Sequence, residues 1–232
     1  MKILKKASKN LLTVRIFRMP LSEPLLLQLR NFILLRQPQV GCIRIYNRLT
    51  QQNRQGIMEK TLPHFIYVSD EYAREIFTKG TVKCDCCEKM SDYSYIGPIH
   101  MPGTADPILC PWCIHDGSAA KKYQASFNEL YDGELAASIH TIVREQTPGY
   151  CTWQDLSWAT HCHDACVYHG DATTEDVALA SEQTRKQWMN DYAMREEDWS
   201  HFMKDHQPHS DQGVYKFICR HCNLVIFNWD FS

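Results

Sequence analysis

The sequence predicts an α+β domain stabilised by zinc at two cysteine-bearing turns, with helices inserted between them. Three observations lead there. Eleven cysteines occur in 232 residues, and most fall in tight pairs rather than at the spread spacing of a secreted disulfide framework; their odd number also argues against a fully paired set. Short aromatic and β-branched runs alternate with stretches of helical periodicity. A chain that is 44% hydrophobic and 22% charged has a globular composition. No secretory leader and no run of about 18 apolar residues is recognisable. The expected compartment is therefore a reducing cytoplasm, where thiolates are free to bind metal.

The chain divides by charge. Residues 1–57 hold eleven Lys or Arg and one acid, Glu23, for +10, whereas residues 58–232 carry −12. The basic segment is interrupted by Pro20, Pro24 and Pro38 and is apolar only in bursts such as Leu25 to Leu27. Three readings of it stand: a membrane-surface amphipathic helix, a nucleic-acid-binding arm, or a translated upstream stretch never selected to fold. Met58 is followed by EKTLPHFIYVSD, which reads as the start of a domain. The expected organisation is thus a basic extension, 1–57, and a zinc-binding domain, 58–232.

Within that domain, Phe65 to Val68 is a short strand, and the aromatic and β-branched residues between Cys84 and Ile99 suit strands between turns. Ser118 caps a helix whose apolar positions are Ala119, Tyr123, Phe127 and Leu130. A second helix covers Glu134 to Arg144 and stops before Pro148 and Gly149. Thr173 and Asp176 form a capping box that opens a helical stretch to about Lys204, broken once. His201, His206 and His209 fall in or after its end and read as solvated loop. The terminal VYKFICRHCNLVIFNWDFS is two strands joined at a cysteine turn. No internal repeat or low-complexity tract is present.

The pattern Cys84-x2-Cys87-x22-Cys110-x2-Cys113 has the form of a zinc ribbon. Each C-x2-C turn offers two thiolates on one side of a tight turn, and two such turns complete a tetrahedral S4 shell. Cys86 is the extra thiol of the CDCC run. The competing readings are a redox pair at Cys110-Pro-Trp-Cys113 and inert buried thiols. A second shell is expected from Cys162, Cys166, Cys219 and Cys222, with His161 or His163 as a substitute for one thiolate. Here the competing reading places Cys162 and Cys166 as buried residues on one helix face. Trp153, Gln154 and Trp158 are expected to pack against this second site.

Catalysis by metal would need an open coordination position and a nearby acid or base. His163, Asp164 and His169 are the groups available, but a full S4 shell leaves no opening. The deaminase pattern of H-x-E with P-C-x-x-C is not met.

The runs LPHFIYV, CDCC, YIGPI, LCPWCIHDGSAAKKY, TPGYCTWQ, HCHDAC and FICRHC resemble the CbrC family of bacterial proteins. The resemblance extends from about Leu62 to the C-terminus, leaves residues 1–57 without a counterpart, and is weakest from Thr174 to about Gln212. Where that family tends to place glycine after its CxCC cluster, this chain has Glu88. One member is named for tolerance to an E-type nuclease colicin, so the resemblance implies a stress or toxin-tolerance role and supplies no mechanism. The resulting expectation is a zinc-binding, non-enzymatic protein whose acidic domain suits a basic partner such as a nuclease domain. The alternatives are a nucleic-acid-binding zinc ribbon, for which residues 58–232 lack a basic face, and a metal-dependent enzyme using the His163/Asp164 region.

Overall fold

The computed structural model describes residues 61–231, except 155, 204–205 and 209–210. The expectations for the basic segment lie outside the described residues.

The chain enters through a segment, Phe65 to Ser69, that turns at Ile66 and Tyr67 and lies against a later strand through a single parallel bridge between Val68 and Tyr168. The strand expected there is reduced to that bridge. Ser69 then caps helix α1, Asp70–Ile76, by accepting from the Tyr72 amide, with Asp70 and Glu71 in the first turn and Arg74 in the last. That arrangement suits the helix dipole. Strands β1, Phe77–Lys83, and β2, Met90–Tyr95, form an antiparallel hairpin with an irregularity between Lys79 and Val82.

Two short helices follow, α2 at Pro111–His115 and α3 at Ser118–Tyr123. The helix expected to continue past Tyr123 ends because Gln124 turns left-handed at φ 50° and returns its amide to the Ala120 carbonyl. Phe127 and Leu130 are still buried, but from a bent, non-helical segment. Helix α4, Ala137–Glu145, closes over that segment, where Asn128 donates to the Val143 and Thr147 carbonyls.

The second half is built on a three-stranded antiparallel sheet, order β5-β6-β7, from Val167–Asp171, Gln212–Ile218 and Val225–Phe231. Before it lies a two-residue-per-strand hairpin, β3 at Thr160–His161 and β4 at Asp164–Ala165. Three helices are inserted between β5 and β6: α5, Thr174–Ala178; α6, Glu182–Asp191; and α7, Glu196–Phe202. The Thr173–Asp176 capping box is formed, and the stretch breaks twice rather than once.

Alternation along β6 and β7 sends side chains to two cores. Tyr215, Phe217 and Ile226 join the main core with Tyr150, Trp158 and Tyr168, whereas Val214, Phe227 and Trp229 pack under the inserted helices with Trp188, Trp199 and Met203. His206, expected in a solvated loop, is 3% exposed and donates from Nε2 to the Ala172 carbonyl. It anchors the end of the insertion beside the start of α5, where Thr174 also donates to the His206 carbonyl.

Candidate metal centres

The first centre forms where the tip of the β1–β2 hairpin meets the first turn of α2. At the tip, the Cys84 amide donates to the Lys89 carbonyl at 2.9 Å and the Glu88 amide returns to the Cys84 carbonyl at 2.8 Å. Closing this tight turn puts Glu88 at φ 61°, a left-handed conformation that favours glycine. The turn expected from C-x2-C is thus made without the glycine. The opposite half is docked by backbone: Asp85 exchanges bonds with Ile108, its amide donating to the Ile108 carbonyl at 2.8 Å and its Oδ2 accepting the Ile108 amide at 2.7 Å. Cys110 then caps α2, with Pro111 at the first helical position.

The four sulfurs of Cys84, Cys87, Cys110 and Cys113 all lie within 4.8 Å of one another. Two of the separations are 3.8 Å (Cys84 to Cys113) and 4.0 Å (Cys87 to Cys110). An ion held by four thiolates at about 2.3 Å in a tetrahedron spaces its sulfurs about 3.8 Å apart. The Cys110 amide also donates to the Cys84 sulfur at 3.3 Å. Cys84, Cys110 and Cys113 are buried and Cys87 is half-buried. Without a cation this grouping is electrostatically awkward. Burial, reinforced by the Cys84 sulfur, pushes the Cys110 thiol up to about 11, and burial drives Cys113 upward as well. At Cys87 burial is outweighed by the Lys89 amide and neighbouring sulfurs, so that thiol is lowered. A dication would let all four ionise together. Cys86 lies outside this group, its sulfur directed to the Ser118 hydroxyl at 3.7 Å.

The second centre joins two hairpin tips. The β6–β7 tip repeats the first turn bond for bond: the Cys219 amide donates to Leu224, the Asn223 amide donates to Cys219, and Asn223 sits at φ 61°. The opposing tip is the β3–β4 turn, whose central residues, Cys162 and His163, are both left-handed at φ 53° and 59°. A two-residue hairpin turn of this kind normally recruits Asn and Gly; here two side-chain-bearing residues accept the strain.

Ligand-type atoms of His161, Cys162, Cys219 and Cys222 lie within 4.8 Å of one another. His161 Nδ1 is 3.1 Å from the Cys162 sulfur and 3.4 Å from that of Cys222, near the edge of about 3.5 Å expected for mixed N and S donors at about 2.1 and 2.3 Å. Cys166, expected as the fourth sulfur, is elsewhere. The turn reverses the chain so tightly that Cys166 returns to the base of the hairpin, where its amide donates to Ala159 and its carbonyl accepts from Trp158. It is fully buried in the main core, and burial pushes its thiol up. His161 stands in its place; His163 is exposed at the turn and outside the group. Of the residues expected to pack here, Trp158 is buried in the main core and donates to the Cys166 carbonyl, whereas Trp153 is exposed and, with Gln154, presents its amide to Asp230.

One carboxylate holds the two tips together. Asp164 accepts from the Tyr67 hydroxyl at 2.8 Å, the Ala165 amide at 2.8 Å, Arg220 at 2.9 Å and His221 Nε2 at 3.0 Å. Burial alone would raise this carboxyl, but the bonds from Tyr67, His221 and Ala165 and the charge of Arg220 hold it below the ordinary carboxylate range. Burial and the bond to Asp164 push Tyr67 up to about 12. Nothing in the chain's local pattern marked Asp164 as a clamp; its partners are 97 and 56 positions away at Tyr67 and Arg220. At Cys219, burial is outweighed by the amides of Cys222 and His221 and by His161, taking the thiol down to about 6. The two centres differ in exposure: Cys162 and Cys222 are exposed and Cys219 is buried.

Beside the second tip lies a cavity of about 610 Å³ between Cys222 to Val225 and residues of α5 and α6. Among the described residues, no helix is long and apolar enough to cross a membrane.

Comparison with known proteins places these features in a family. A UPF0167 protein of Pseudomonas aeruginosa is 36% identical over 179 residues, covering 75% of this chain and all of that protein. UPF0167 proteins of Mycobacterium bovis and Mycobacterium tuberculosis are each 32% identical over 120 residues, half of this chain and 64% of each relative. No solved structure matches. The profile of the uncharacterised protein family UPF0167 matches residues 62–231, a span that holds both four-donor groups, and the chain belongs to that family.

Proposed function

We propose that this is a zinc-stabilised, non-enzymatic binding protein with one zinc ion at Cys84, Cys87, Cys110 and Cys113 and a second at His161, Cys162, Cys219 and Cys222. The observation that carries the reading is the first group: four mostly buried sulfurs at tetrahedral edge distances, a closed shell suited to a structural ion. At the second group the neighbouring carboxylate already has four donors, which leaves it poorly suited to act as a general base. Closed thiolate shells belong in a reducing cytoplasm.

The resemblance to the CbrC family supports a stress or colicin-tolerance role. The −12 charge of residues 58–232 is complementary to a basic nuclease domain, so the surface held in place by the two centres is the functional part.

Elemental analysis of the purified chain is expected to find about two zinc per protein, all unchanged in Cys86→Ser and reduced to one or none in Cys87→Ser. Iron in place of zinc, or full retention in Cys87→Ser, would overturn the assignment. For the partner, a pull-down with an E-type nuclease domain is expected to show association that weakens with salt; no salt-sensitive association rules out direct capture.

A further inference from the structure

The two centres are unequal in a way that a purely structural role for both does not require. Cys84, Cys110 and Cys113 are at most 4% exposed, and Cys87 is half-buried. In the second centre two of the three sulfurs, Cys162 and Cys222, are exposed. They come from different hairpin tips and flank the same nitrogen, His161 Nδ1, at 3.1 and 3.4 Å. Cys162 also sits in a turn strained by two consecutive left-handed residues, which gives this tip a reason to move once its sulfur is no longer held by an ion.

We propose that Cys162 and Cys222 form a redox modification site, in which a peroxide joins the two sulfurs in a disulfide and expels the ion of the second centre while the first centre keeps its own. This rests on the reading of both groups as metal centres. One thiolate attacks a peroxide oxygen; the O–O bond breaks, the departing oxygen leaves as water after taking a proton from solvent, and the attacking sulfur becomes a sulfenic acid. The second thiolate attacks that sulfur, an S–S bond forms, and hydroxide leaves and is protonated to a second water. The two sulfurs give up two electrons and the peroxide accepts them. With two of its four donors consumed, the ion departs to solvent.

The geometry favours this pair. Their sulfurs are within 4.8 Å of one another, so an approach of less than about 3 Å reaches disulfide length. The Asp164 clamp to Arg220 and His221 does not involve the ion, so the tips stay apposed as the ion leaves. At the first centre three of the four sulfurs are buried and Cys87 is half-buried, so no two exposed sulfurs face each other there. Cys86 is half-buried like Cys87, but its sulfur faces the Ser118 hydroxyl rather than the four-sulfur group.

The test uses the full chain, titrated with hydrogen peroxide, with released zinc read by a chromogenic chelator and disulfides mapped by mass spectrometry after alkylation. The expected result is release of one of two equivalents with a Cys162–Cys222 disulfide, reversed by dithiothreitol and added zinc, and unchanged in Cys86→Ser. Release of both ions together, release of neither, a disulfide between other cysteines, or sulfinic acid without a disulfide would overturn the proposal. A chain isolated without metal would instead refute the two-zinc reading, and the disulfide map would still decide whether these two thiols pair.

Discussion

Glu88 and Asn223 occupy equivalent places in two matching turns, both at φ 61°, and so measure the same backbone demand with different side chains. Asparagine tolerates the left-handed region, while a longer side chain is disfavoured there by about 1 kcal/mol. Glu88→Gly is expected to raise stability by about 0.5–1 kcal/mol, or about 1–4 °C in Tm, and Asn223→Gly to change little; thermal melts of the two variants check the contrast. Asp164 makes the opposite kind of contribution. Its carboxyl is held below the ordinary range, so its stabilisation is fully present above about pH 4, the unfolded-state value, and is lost as pH falls through the lower folded-state value. Asp164→Asn keeps the shape and removes the charge, and is expected to cost about 1–3 kcal/mol near neutral pH, with the gap to wild type shrinking in acid melts.

The inserted helices α5 to α7 are held to the sheet mainly by aromatic contact. Trp188 lies 5.5 Å from Trp199 and 5.8 Å from Trp229, ring centre to ring centre, and is 1% exposed. Trp188→Ala is expected to cost about 3–5 kcal/mol, read by denaturant unfolding, with exchange protection lost first in the insertion. The start of this insertion was legible in the sequence because Thr173 and Asp176 form a local cap, and the C-terminal hairpin because two aromatic and β-branched runs flank a cysteine turn. Other elements were not. Helix α1 spans only seven residues, too few for periodicity to speak, although Ser69 and the acidic first turn carried its signal. In β1, Gly80 and the bulge before Val82 break the alternation. The first centre's grouping was readable from C-x2-C spacing alone, since each pair sits in one turn. The second was only partly readable, because whether Cys166 or His161 faces the other sulfurs depends on a two-residue hairpin turn rather than on spacing.

Across the whole molecule, both centres are wired into one core. Cys84, Cys110 and Cys113 of the first, together with Cys219 of the second and the neighbouring Cys166, belong to a single buried cluster. The second centre spans 56 intervening residues between Cys162 and Cys219, against 22 between Cys87 and Cys110 in the first. By loop-closure entropy alone that difference is worth only about 0.8 kcal/mol, so the longer span does not make the exposed centre the stronger staple. If the two groups hold metal as proposed, a strong chelator is expected to lower the Tm by on the order of 10 °C or more, read by circular dichroism. A chelated protein that melts unchanged would mean that the core needs no ion. In each matching turn the residues between the two cysteines grip the opposite half: Asp85 takes Ile108, while Arg220 and His221 take Asp164. The donors are therefore drawn together by hydrogen bonds that no ion has to supply. For a metal bound there, these spacer residues would set how readily the shell closes, and a change at Asp85, Arg220 or His221 is expected to alter metal occupancy while every ligand stays in place.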